Sequence, residues 1–241
     1  MIHRMLFVGG CHVTGYRIAP AQAFPVMLSR QLGSDLVGQV PHVAFAQLPT
    51  HLPDLAVLAP TQVVFQMGNY ECSASGRLLF HRLLPTVAAM WHKSVDLTPT
   101  PTPTPAGSAC AGSGPACFGL AHYLRVAGVG LLNAALWCGA PRYRRSLHAI
   151  NAYMRQHPAT TFVFLSPFPC RPAADNAMRR FGGWLLHRRL ARLPNCHWVD
   201  MHKLLPTDAR FFVDPWHLNE HGHRLVACGL AGCLAGYLAT V

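Results

Sequence analysis

Short apolar runs that stop at glycine alternate along this chain with longer stretches of helical apolar spacing, and that alternation leaves few folds open. Residues 5–10 form such a run closed by two glycines, residues 61–68 end at another glycine, and residues 160–166 (TTFVFLS) are strongly strand-like. Residues 40–46 and 197–201 read as two further strands. Apolar spacing predicts helices over 20–31, 77–93, 176–193 and 225–241, with a helical region around 118–155. Strands alternating with helices predict a three-layer α/β/α domain, with a central, mostly parallel sheet of about five strands.

The chain has 241 residues, 51% of them hydrophobic and 12% charged. That balance suits a packed core and excludes disorder as the default. One stretch departs from it. About residues 97–117 the sequence reads LTPTPTPTPAGSACAGSGPAC, alternating Thr-Pro followed by Gly and Ser. Strands on both sides are needed to complete the sheet, so the expectation is a single domain, 1–241, with this segment as a surface insert. The apolar run that closes the chain is short for a membrane span and rich in Gly, Ala and Cys, so a half-buried final helix is expected and no membrane span. The nine cysteines are odd in number and include no C-x-x-C, and Met1 to Arg4 lead almost directly into the first strand. Reduced thiols in a cytoplasmic protein are expected. The net charge is +11, carried nearly all by Arg, but the basic residues are scattered and no nucleic-acid motif accompanies them. A specific nucleic-acid partner is not expected.

Chemistry in open α/β sheets gathers at the carboxyl ends of the strands. Three segments stand there. Gly9-Gly10-Cys11 places a thiol directly after a strand, in a glycine turn, where a nucleophile or a small buried cysteine would both fit. Gly68-Asn69-Tyr70-Glu71 follows the third strand; Asn69 could donate to an oxyanion or simply support a turn. Asp214-Pro215-Trp216-His217 sets a carboxylate and an imidazole three apart, a spacing that lets one orient the other. His217, His221 and His223 could alternatively ligate a metal, although no acidic or Cys ligand is well placed beside them.

Taken in order, the strand-end nucleophile, the Gly-Asn block and the D-P-W-H-L-N-E-H-G-H tail resemble the SGNH/GDSL hydrolase superfamily over nearly the whole chain. The resemblance implies a flavodoxin-like SGNH fold and a catalytic triad of Cys11, His217 and Asp214. It also implies an oxyanion and substrate site drawn from Gly10, Gly68, Asn69 and Tyr70. Three departures are plain. Gly10 and Cys11 stand where the family shows Asp and Ser. In strict register Tyr70 falls on the family's Asn, so Asn69 serves only with a one-residue shift. The family's second-block glycine has no counterpart among residues 40–47. With a cysteine nucleophile the expectation is ester or thioester cleavage, or acyl transfer, on a small-molecule or carrier-bound acyl substrate, with no cofactor and no metal. The alternative is an inactive SGNH-fold protein that binds a ligand or partner. The acyl group, the acceptor and the oligomeric state are not legible.

Overall fold

The structure, a computed structural model, describes residues 3–69, 71–72, 128, 140–190 and 192–238. The insert at about 97–117, the helix expected over 77–93 and most of the first half of the 118–155 region lie outside the described residues.

Five parallel strands form one sheet in the order β2-β1-β3-β4-β5: β1 (Arg4–Gly9), β2 (Asp35–Val40), β3 (Gln62–Gln66), β4 (Thr161–Leu165) and β5 (Cys196–Val199). Seven α-helices join the described parts: α1 (Cys11–Thr14), α2 (Phe24–Gln31), α3 (Leu48–Val57), α4 (Pro141–Gln156), α5 (Ala173–Arg189), α6 (Met201–Leu204) and α7 (Glu220–Leu238). The three-layer α/β/α fold is as the sequence predicted.

The apolar runs of β1, β3 and β4 are continuous because both faces of a parallel sheet are covered. Successive side chains divide between the two sides. Leu6, Val8, Val63, Phe65, Phe162 and Phe164 pack into one core with Leu52 and Leu55 of α3, Tyr143, Leu147 and Ile150 of α4, and Leu186 of α5. Met5, Phe7, Val64, Val163 and Leu165 pack into the other with Phe24 and Leu28 of α2 and Val226, Leu230 and Leu234 of α7. The final helix is thus half-buried, and no helix among the described residues is long and apolar enough to cross a membrane.

The second strand is displaced from its predicted place. β2 runs over Asp35–Val40, an edge strand half-exposed along most of its length, where Gly38 lets Leu6 come within 3.1 Å of the space a Cβ would fill. Pro41, lacking an N–H, closes the strand. The more apolar residues beyond it form a loop that drops Val43 and Phe45 into the first core. That burial is why the segment looked strand-like. α5 and α7 begin three and five residues earlier than their periodicity suggested, and β5 one residue earlier.

Candidate active site

Strand order reverses between β1 and β3, the switch point at which sheets of this kind bind ligands. The two strands come so close at their carboxyl ends that a Cβ on Gly9 would run into the Gln66 backbone. Gln66 in turn accepts the Gly10 N–H through Oε1 at 2.9 Å. Gly10, expected in the oxyanion site, therefore has its amide committed to β3. Cys11 opens the single turn of α1, half-buried, and Gly15 ends it with a left-handed φ of 72°.

The imidazole and its carboxylate arrive from the opposite end of the chain. Asp214 Oδ1 accepts the backbone N–H groups of Trp216 (2.9 Å) and His217 (2.8 Å), which curls the loop into an Asx turn. The same turn brings the His217 ring back onto the carboxylate, with Nδ1 2.9 Å from Oδ1 and 2.8 Å from Oδ2. Burial pushes the Asp214 carboxyl up, but the Trp216 and His217 N–H groups and the imidazole pull it further the other way, and its pKa ends below the ordinary carboxylate value. The carboxylate thus engages His217 through Nδ1 and leaves Nε2 on the far side of the ring.

The remaining letters of the tail build the support. Asn219 caps α7, accepting the Gly222 N–H at 3.1 Å and donating to the Arg210 carbonyl at 2.8 Å. Gly222 is required because a Cβ there would meet the Phe211 carbonyl. His223 is fully buried, accepts the Phe24 N–H at Nδ1 (3.1 Å), and is lowered by burial to about 4. His221 is exposed. The three histidines thus face different surroundings, and no group of His, Cys, Asp or Glu able to hold a metal occurs among the described residues.

The two ends of the chain meet. Tyr16 packs its ring 4.2 Å from that of His217, and Arg17 Nη1 lies 3.8 Å from Asp214 Oδ2. His12, next to Cys11, is buried against Phe168 at 4.8 Å and lies 5.8 Å from the His217 ring. Burial, together with His223, Arg179 and His217, holds His12 well below the ordinary imidazole value, so this link is neutral.

Asn69, the third of the residues singled out in the sequence, lies just past β3. Gly68 adopts φ 91°, and Asn69 is buried with Oδ1 accepting the Phe168 N–H at 2.8 Å. Its Nδ2 is buried with no partner among the described residues. A buried amide with one end clamped and the other unspent is an expensive arrangement unless something accepts from it. Tyr70, the other reading of the Asn position, lies outside the described residues. Near the absent second-block glycine, His42 adopts φ 59°, a conformation glycine takes readily. Sequence reasoning missed His12, Tyr16, Arg17 and Gln66. Only Gln66, a polar side chain inside an apolar strand, carried a signal.

No family model and no curated protein matches the sequence. Solved structures do. A lipase/acylhydrolase from Enterococcus faecalis superposes with a TM-score of 0.56 at 11% identity, over 98% of this chain and 97% of that one. A member of the lipolytic protein G-D-S-L family from Veillonella parvula gives 0.51 at 10% identity, over 93% of each chain. The fold is that of the SGNH hydrolases. A psychrotrophic esterase from Pseudoalteromonas sp. shares the SGNH fold at a TM-score of 0.52 and 11% identity, over 98% of this chain and 99% of that one. The SGNH fold thus spans nearly the whole chain, with Cys11, Asn69 and the Asp214–His217 pair on strand-end segments and the loop before α7.

Proposed function

We propose that the chain is an acyl-transferring or ester- or thioester-cleaving enzyme that uses Cys11, His217 and Asp214 through an acyl-thioester intermediate. The observation that carries this reading is the docking of the 11–17 turn on the 214–217 loop, through the Tyr16–His217, Arg17–Asp214 and His12–His217 contacts. That docking brings a thiol-bearing turn to an imidazole already oriented by a carboxylate.

In the proposed reaction His217 Nε2 takes the Cys11 proton as sulfur attacks the acyl carbonyl. The carbonyl oxygen becomes an oxyanion, to which Asn69 Nδ2 and the Cys11 N–H donate. Collapse expels the alcohol or thiol, which leaves with the proton held on His217, and the acyl group stays on Cys11. Water or an acceptor alcohol, thiol or amine then attacks the thioester, giving its proton to His217. The second collapse restores the thiol. Esterase and acylhydrolase neighbours support small acyl esters as first substrates.

Intact-protein mass spectrometry after brief exposure to p-nitrophenyl acetate and to an acyl thioester tests the reading. A single adduct on Cys11 is expected, absent from Cys11→Ala and formed far more slowly by His217→Ala. Labelling that spreads over several cysteines and ignores His217 would leave the alternative, a ligand-binding protein on a hydrolase fold.

A further inference from the structure

A second cleft, of about 390 Å³, opens where α5 passes the carboxyl ends of β4 and β5. It lies along the sheet from Cys11, which follows β1, whereas the cleft residues Ser166 and Asp200 follow β4 and β5. Its volume falls in the lower part of the range for small-molecule sites, about 300–1,000 Å³.

Two chemistries line it. One is aromatic. Trp184 is 49% exposed even though Phe181 stacks beside it at 5.7 Å and the Arg188 guanidinium, which a flat ligand would displace, lies 5.0 Å above its ring. His187, three residues on along α5, stacks on Trp198, with centroids 4.8 Å apart and planes 12° from parallel, and so covers a face of that indole. The other is cationic. Arg180 and Lys203 form no ion pair among the described residues. Asp200, the carboxylate in the cleft, accepts the His202 N–H at 3.1 Å and the Ser166 hydroxyl at 3.5 Å through Oδ1, so the two cations outnumber it. Arg180 Nε donates to His202 Nδ1 at 3.3 Å, which puts the neutral imidazole's proton on Nε2. That Nε2 is buried with no partner among the described residues. A donor without an acceptor, a half-exposed indole and two cations against one carboxylate together match a flat ring that bears a negative group.

We propose that this cleft binds a mononucleotide-type ligand, its base stacked on Trp184 and its phosphate held by Arg180 and Lys203. Arginine can grip phosphate with two parallel N–H groups while lysine adds a point charge. The site is independent of the chemistry at Cys11.

The test is titration of the full chain with adenosine 5′-monophosphate, adenosine and inorganic phosphate, read by tryptophan fluorescence and by calorimetry. The monophosphate is expected to bind at least tenfold more tightly than either part alone. Trp184→Ala should lower the affinity for adenosine and the monophosphate but not for phosphate. Arg180→Ala with Lys203→Ala should bring the monophosphate down to the level of adenosine. All three side chains are exposed, so the variants should keep the wild-type melting temperature. Cys11→Ala should bind as wild type whether or not the enzyme reading holds. Equal binding of phosphate and monophosphate, or indifference to all three substitutions, overturns the proposal. So does binding seen only with long polynucleotides and falling steeply with salt, which would make the cleft part of a nucleic-acid surface.

Discussion

Asn69→Ala separates two roles that one amide combines. Its Oδ1 is the partner of the buried Phe168 N–H, and removing it leaves that donor unsatisfied at a cost of about 1–3 kcal/mol. For a chain of this size each kcal/mol lowers the melting temperature by about 2–4 °C, so a fall of roughly 2–12 °C is expected. A domain stable by about 5–15 kcal/mol stays overwhelmingly folded at 25 °C after that loss. Unfolding therefore contributes almost nothing to any change in rate. The Nδ2 end is different, because loss of one oxyanion donor lowers the chemical step by about 10²–10³. The assay is the second-order rate of Cys11 acylation by p-nitrophenyl acetate at 25 °C, set beside a thermal melt of the same sample. A melt shifted as calculated with a rate within a few-fold of wild type would refute the oxyanion role and leave Asn69 as a loop clamp.

Asp214→Asn should keep the Asx turn, since an amide oxygen can still accept from Trp216 and His217, but it presents Nδ2 to the imidazole and disturbs its tautomer. Acylation should fall by about 10³–10⁴ while circular dichroism is unchanged; a loss under tenfold counts against the triad. His12 and His223 are held neutral by burial, so the unfolded chain takes up protons where the folded one does not. Stability is then full above pH 6.5 and declines as pH falls toward 4, with His223 alone contributing about 3 kcal/mol of the loss. Urea titrations at pH 7.5, 6 and 5 should show the midpoint dropping, and a flat profile would contradict neutral burial. Gly9→Ala forces a methyl onto the Gln66 backbone and should cost about 1–3 kcal/mol or prevent soluble expression, read by guanidinium unfolding.

What the sequence disclosed follows from where each signal resides. β1, β3 and β4 were legible because burial on both faces leaves an unbroken apolar run, and α4 because Tyr143, Leu147 and Ile150 recur at helical spacing. β2 was misplaced because an edge strand has little apolar content, while the loop after it contributes Val43 and Phe45 to the core. At the site, Asp214 and His217 could be paired because three residues of chain suffice to bring them together. Strict register set Tyr70 on the family's Asn, and register says nothing of the clamp that holds Asn69 Oδ1 on the Phe168 N–H. His12, Tyr16 and Arg17 meet the 214–217 loop across some two hundred residues, and no local pattern records a contact of that span.

The same separation has a kinetic consequence. β3 ends at residue 66 and β4 begins at 161, yet the two are neighbours in the sheet. Treated as plain chain, closing a loop of roughly 90 residues costs about 1 kcal/mol more than closing a crossover of about 25. The triplet β2-β1-β3 and the pair β4-β5 each assemble through shorter connections, so their junction is the contact expected last. Cys11 and Asn69 belong to one half of the sheet, Asp214 and His217 follow the other. On refolding, helical circular dichroism should therefore return before the capacity to be acylated. The junction is also where partly folded chains would offer an unpaired strand edge to one another.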